Sequence, residues 1–213
     1  GYSNEASATP TSGAADCLIA QAASAPTIDG SIDAVWSTAS QYALANVIGG
    51  SVSGDSDLSG TWRALWDSSN LYYLVEVTDE SLINDSGDPW QDDGVETYID
   101  ADNSKGESYD GVNDYQYIYR WNDDTVHIGV SSATNTSGIV FQTVAVSGGY
   151  VCEVSIPWTT LGVTPASGNL IGLELHLNDD DDGGDGDGKK AWYGTTNDAW
   201  WNPSTFGTGQ LTQ

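Results

Sequence analysis

A chain of 213 residues is long enough to bury one substantial core, and all-β domains of this size commonly form a single unit. Its 31 carboxylates stand against five cations, for a formal net charge of −26; such a surface repels phosphate, which argues against nucleic acid and anionic lipid as partners. No apolar run reaches the roughly 18 residues of a membrane span, so no membrane insertion is expected, and with no methionine in the chain a methionine-ligated haem is excluded.

In chain order, residues 1–16 (GYSNEASATPTSGAAD) are small, polar and proline-containing, and are read as a flexible tail or linker, with the folded domain spanning 17–213. Gly1 in place of Met is consistent with a processed start, and the expected location is secreted or extracellular. Cys17 and Cys152 are an even count without metal-ligand spacing, which in an oxidising compartment suggests one disulfide; two buried free thiols are the rival reading. The segments WRALWD, NLYYLVEVTD, VETYID, DYQYIYRW, TVHIGV, IVFQTVAV, GYVCEVSI and LIGLELHL then follow, separated by Gly, Asp, Asn and Ser clusters. They predict an all-β, antiparallel, jelly-roll-like β-sandwich with long Asp-rich loops. The one helical candidate is short, around WTTLGV, stopped by Pro165.

Strand parity assigns faces, because successive residues point to opposite sides. Ile171, Leu173, Leu175 and Leu177 fall on one side of their strand, with Glu174, His176 and Asn178 on the other. Val95 and Ile99 likewise leave Glu96 and Tyr98 opposite, and Gln116, Ile118 and Arg120 alternate with a row of tyrosines. If these strands are neighbours, Glu96, Gln116, Arg120 and His176 line one polar sheet surface.

Two tryptophan clusters break the strand pattern. Trp90 sits in GDPWQDDG among turn formers, and Trp200 and Trp201 in NDAWWNPSTFG among Asn197, Asp198, Asn202 and Pro203. Indole rings projecting from loops beside Glu, Gln, Arg and Asn suit sugars, whose C–H faces pack on aromatic rings while their hydroxyls need polar partners.

Taken with APTIDGSIDAVW, LWDSSNLYYLVEVTD, PWQDDGVETYID, VSIPWTTLG and IGLELHLND, the closing AWWNPSTFG makes the chain resemble a family 9 carbohydrate-binding module from Pro26 almost to the C-terminus. The resemblance implies a secreted, non-catalytic β-sandwich appended to a polysaccharide-degrading glycoside hydrolase, clamping the end of a glucan or xylan chain between two tryptophans. On this sequence the clamp falls on Trp90 and Trp200, with Glu96 and Asn197 as polar partners. Where the family pattern has an arginine this chain has Ile118, with Arg120 two positions along the same strand face; where it has a glutamine this chain has His176. The resemblance also implies structural calcium, with Asp79, Asp93, Asp100, Asp102 and Asp114 as candidate ligands. The run NDDDDGGDGDGKK lacks the spaced acids and terminal Glu of an EF-hand loop and reads equally as a solvated acidic loop.

Other functions are weaker readings. Paired acids can cleave glycosidic bonds, but with 31 acids pairs are inevitable, and neither His127 nor His176 lies near a recognisable nucleophile motif. The alternative to a binding module is an extracellular adhesive sandwich using its Asp-rich loops for calcium-dependent association.

Overall fold

The computed structural model describes residues 14–213, so residues 1–13 of the expected tail lie outside the described residues. The strands are β1 (Cys17–Gln21), β2 (Tyr42–Ala43), β3 (Asn46–Gly50), β4 (Leu58–Trp66), β5 (Asn70–Asp79), β6 (Gly94–Asp100), β7 (Asp114–Arg120), β8 (His127–Ile128), β9 (Val140–Val146), β10 (Gly149–Pro157), β11 (Leu170–Asp179), β12 (Gly188–Ala191) and β13 (Gly207–Thr212), with one α-helical turn, α1 (Trp158–Leu161), after β10. They pair in the order β8-β7-β6-β11-β13-β1-β4-β5-β10-β9, with β2 on β4 and β12 bridging β11 and β3. The sheet is mixed: β1 runs parallel to both β13 and β4, while the pairs flanking the chain's long strands are antiparallel.

Alternation explains why this sheet doubles over. Leu71, Tyr73, Val75 and Val77 of β5 and Ile171, Leu173, Leu175 and Leu177 of β11 enter one common core, so the two halves of the sheet bury their apolar rows against each other as a sandwich. Full burial of each such side chain contributes about 1.5–3 kcal/mol relative to exposure. Aromatic pairs close the far side: Tyr119 meets Phe141 at a centroid distance of 5.1 Å, and Trp121 meets Tyr150 at 5.4 Å.

The outer face of β4, β5 and β10 is covered by the segment preceding β2. Trp36 packs on Leu65, Tyr72, Leu74 and Val151 and donates its ring N–H to Glu153 at 2.9 Å. The other Glu153 oxygen accepts from the backbone N–H of Gly30 at 2.8 Å and of Asp29 at 3.1 Å. Gly30 has φ +81°, and a Cβ there would lie 2.2 Å from Val144, so the IDG turn requires glycine.

Three expectations change. The disulfide is not formed: Cys17 and Cys152 are free and buried. Their strands are separated by β4 and β5, three spacings of about 4.8 Å along the sheet, whereas a disulfide needs Cα atoms closer than about 7 Å. Burial pushes the Cys17 thiol up to about 12 and Cys152 higher still, so both remain protonated, inert core side chains. The acidic run after β11 is not simply solvated: Asp179 and Asp180 are buried and the run ends in β12. Nor is the polar row of β11 an open surface, because Glu174, His176 and Asn178 are as buried as the leucines between them.

Candidate functional site

Strand pairing assembles a polar floor on β6, β7, β11 and β12. Glu96 stands in register with His176 on one side and Ile118 on the other, and Tyr98 pairs with Gln116. The Glu96 side chain is fully buried and collects four donors. Asn178 Nδ2 and Lys189 Nζ reach Oε1 at 2.8 and 2.9 Å; Gln116 Nε2, at 2.7 Å, and the Tyr98 hydroxyl donate to Oε2. Burial pushes the Glu96 carboxyl up, but the Lys189 ammonium and these hydrogen bonds outweigh it and hold it at about 2.

Loops flanking this floor each present one tryptophan. In GDPWQDDG the two aspartates after Trp90 turn inward and are fully buried. Asp92 accepts from the backbone N–H groups of Asp85 and Ser86 at 2.9 and 2.8 Å and pairs with Arg120 at 2.9 Å. Asp93 accepts from Ile83 and Asp180. With its neighbours anchored below, Trp90 is left 39 % exposed. The second loop is anchored upstream by Glu174, which accepts from the N–H groups of Trp192, Tyr193 and Gly194, and by Asn46 Nδ2, which donates to the carbonyls of the same three residues. Beneath it Ala199 packs with Tyr98 and Phe206, and the Tyr109 hydroxyl donates to the Ala199 carbonyl at 2.9 Å. Trp200 emerges 42 % exposed.

The two rings line one pocket of about 300 Å³, together with Glu96, Tyr98, Gln116, Lys189 and Asn197, and with Gly129 and Val130 at its rim. Of the residues expected at the site, Trp90, Trp200, Glu96, Gln116 and Asn197 are brought together here. Arg120 is not: its guanidinium is spent on Asp92 and Asp123, at 2.9 and 2.7 Å, bracing the Trp90 loop. His176 lies behind the floor, its ring 4.6 Å from that of Tyr98, with neither nitrogen hydrogen-bonded. Burial, reinforced by Lys189, pushes its imidazole down to about 3, so it is neutral at pH 7. Trp201 is 40 % exposed and is not part of the pocket lining; its ring N–H donates to Asp198 at 3.3 Å. Sequence reasoning missed Lys189, the only lysine or arginine on the lining, because it closes a run of aspartates; the sole local signal was a GKKA segment of strand length.

A second cluster of acids lies beside the floor. Asp79, Asp93 and Asp179 are all buried, with one oxygen from each converging within 4.8 Å. Burial above all pushes these carboxyls up, Asp79 to about 6, Asp93 to about 8 and Asp179 to about 7, with repulsion from neighbouring acids adding to it: Asp181 and Glu80 on Asp79, Asp79 and Asp179 on Asp93, and Asp79 and Asp181 on Asp179. One Asp79 oxygen and both Asp179 oxygens are buried without a hydrogen-bond partner. Hard oxygens crowded in this way are a donor set fitted to a cation such as Ca²⁺. Asp100, Asp102 and Asp114 stand elsewhere, around the β6–β7 loop. Asp100 accepts from the N–H groups of Ser104 and Lys105, Asp102 from Asn113 Nδ2, and Asp114 from the Asp110 N–H. Buried oxygens of Asp114, Asn103 and Asn113 remain without donors there.

Residues 28–213 match the family model described as carbohydrate family 9 binding domain-like. The chain is 32 % identical over 186 residues to endo-1,4-beta-xylanase A of Thermotoga neapolitana and 33 % identical over 187 residues to the exoglucanase XynX of Acetivibrio thermocellus, matches that cover 87 % and 88 % of this chain. It spans only 17 % and 16 % of those proteins' lengths. Among solved structures, a family 9 carbohydrate-binding module of Caldicellulosiruptor kristjanssonii in complex with cellotriose superposes with a TM-score of 0.79 at 25 % identity, covering 92 % of this chain and 93 % of the module. The same module is also solved with glucose. The chain therefore belongs to the family 9 carbohydrate-binding domains, which are binding modules and not catalytic domains.

Proposed function

We propose that this family 9 module binds glucan or xylan chains at their ends, holding the terminal sugar between the indoles of Trp90 and Trp200. One observation carries the reading: two half-exposed tryptophans from separate, independently braced loops line one pocket with a polar floor. Apolar sugar faces stack on indole rings while Gln116, Lys189 and Asn197 replace the water on the hydroxyls. The cellotriose and glucose complexes of the similar module, and the xylanase and exoglucanase relatives, support glucan and xylan as the ligand class. A pocket of about 300 Å³ is at the small end of ligand sites, which favours a chain terminus over the middle of a polymer.

Calorimetric titration with cellotriose and xylotriose tests this. Trp90→Ala and Trp200→Ala should each lower the affinity for the better ligand by about 2 kcal/mol, the scale of an aromatic hot spot. Affinities unchanged in both variants exclude the clamp. Reduction of the ligand's terminal sugar to the open alditol should abolish binding if the reducing end is held; equal affinity argues for recognition elsewhere along the chain.

We further propose that calcium occupies the Asp79–Asp93–Asp179 cluster, supported by its unpartnered buried oxygens. There it would neutralise three crowded carboxylates and tie β5, the start of β6 and the end of β11 together. The relatives' lengths and names support a role as an appendage to a glycoside hydrolase.

A further inference from the structure

The floor of the pocket can be read atom by atom. A carboxylate has two oxygens and about four acceptor positions, and all four on Glu96 are filled from within the protein: Asn178 and Lys189 on Oε1, Gln116 and Tyr98 on Oε2. No position is left for a sugar hydroxyl unless one of these bonds breaks. Lys189 is different. An ammonium carries three donors, and among the described hydrogen bonds one goes to Glu96, while the side chain lines the pocket with 15 % of its surface exposed. Gln116 is different again: its Nε2 is held by Glu96, which turns Oε1 to a position where it accepts from no described donor. Gly129 leaves room for that oxygen, since a Cβ there would lie 1.7 Å from it.

We propose that Lys189 and Gln116 are the groups of this pocket's floor that contact the sugar, the ammonium donating to a hydroxyl oxygen and the amide oxygen accepting from a hydroxyl. Glu96 is a positioning residue: it fixes both and does not accept from the ligand. The cation that discriminates between sugars thus comes from β12. The β7 position beside Glu96 is Ile118, fully buried, and Arg120 is committed to two aspartates. The inference rests on the Trp90–Trp200 pocket being the sugar site.

The test titrates the described chain with cellotriose and with cellotrioses lacking single hydroxyls on a terminal ring. The wild type should lose about tenfold or more in affinity on removal of one hydroxyl, the scale of one hydrogen bond to a charged group. Lys189→Met should bind intact cellotriose weaker by a similar factor and become indifferent to that hydroxyl, and Lys189→Arg should recover the dependence. Glu96→Gln should weaken binding yet keep the dependence, because the contact is made by its neighbour. The double variant Glu96→Gln/Lys189→Met removes both charges, leaves no buried ion unpaired and should match Lys189→Met. If Lys189→Met keeps wild-type affinity while Trp90→Ala loses it, the assignment to Lys189 is wrong and the pocket reading stands. Loss of the hydroxyl dependence in Glu96→Gln alone would make Glu96 the direct acceptor and overturn the proposal. Binding that survives both tryptophan substitutions, or is absent from the wild type, overturns the pocket reading and this inference with it.

Discussion

Asp93 and Glu96 are three residues apart, both wholly buried, and bear opposite electrostatics. The Asp93 carboxyl is pushed up to about 8, by burial and by Asp79 and Asp179 close by; that of Glu96 is held at about 2, with Lys189 beside it and donors on every side. Burial pushes both upward, so the opposite outcomes come from what faces them: acids in one case, an ammonium and amides in the other. The Glu96 floor is electrostatically complete as the chain folds. The aspartate cluster is an excess of negative charge that the described residues do not balance, which is why a cation is proposed for one and not the other.

Removing the lysine makes the floor resemble the cluster. Lys189→Met leaves Glu96 as a buried, unpaired carboxylate and should lower the unfolding free energy by about 3–5 kcal/mol, measured by urea denaturation. The pH dependence should separate the two regions next. The folded carboxyl of Glu96 lies below its ordinary value of 4.5, so its contribution is fully present above that value and lost as pH falls through about 2. The loss should amount to about 3 kcal/mol and be absent from Glu96→Gln in acid-unfolding curves. At the cluster, calcium at a hundred times its dissociation constant should add about 2.7 kcal/mol, seen as a lower melting temperature on chelation. Asp179→Asn should remove that response while raising the melting temperature of the chelated protein, since one repelling charge is gone; identical curves with and without chelator in the wild type would count against the ion. The smallest effect is local. Gly129→Ala should displace the Gln116 amide and weaken cellotriose binding by about 1 kcal/mol, one hydrogen bond's worth, with a loss of similar size in the unfolding free energy as the amide leaves Glu96.

Much of the fold was legible because alternation is a local property. The runs around Asn70–Asp79, Gly149–Pro157 and Leu170–Asp179 carry apolar residues at every second position, and each is a strand whose apolar row enters the core. Strands with weaker patterns escaped: β1 and β13 are short, and β12 begins inside an acidic run where the charge count hides a four-residue segment. The tryptophans of the pocket were legible for the opposite reason, since large rings among Asp, Pro and Asn have no place in a strand's period. Arg120 and His176 share strand faces with pocket residues, and parity could not reveal that Asp92 and Asp123 claim one and that Tyr98 covers the other.

From its sequence alone the chain was determined to be a sandwich of alternating strands with two loop-borne indoles, because side-chain period and turn chemistry act between neighbours along the backbone. Which charges meet was decided only by tertiary structure. Lys189 reaches Glu96, 93 positions away, because β12 and β6 flank the same β11 strand. Asp179 joins Asp79 because β11 ends where β5 does. Electrostatic energy depends on separation in space and on the water excluded between groups, and neither quantity is written in the order of residues.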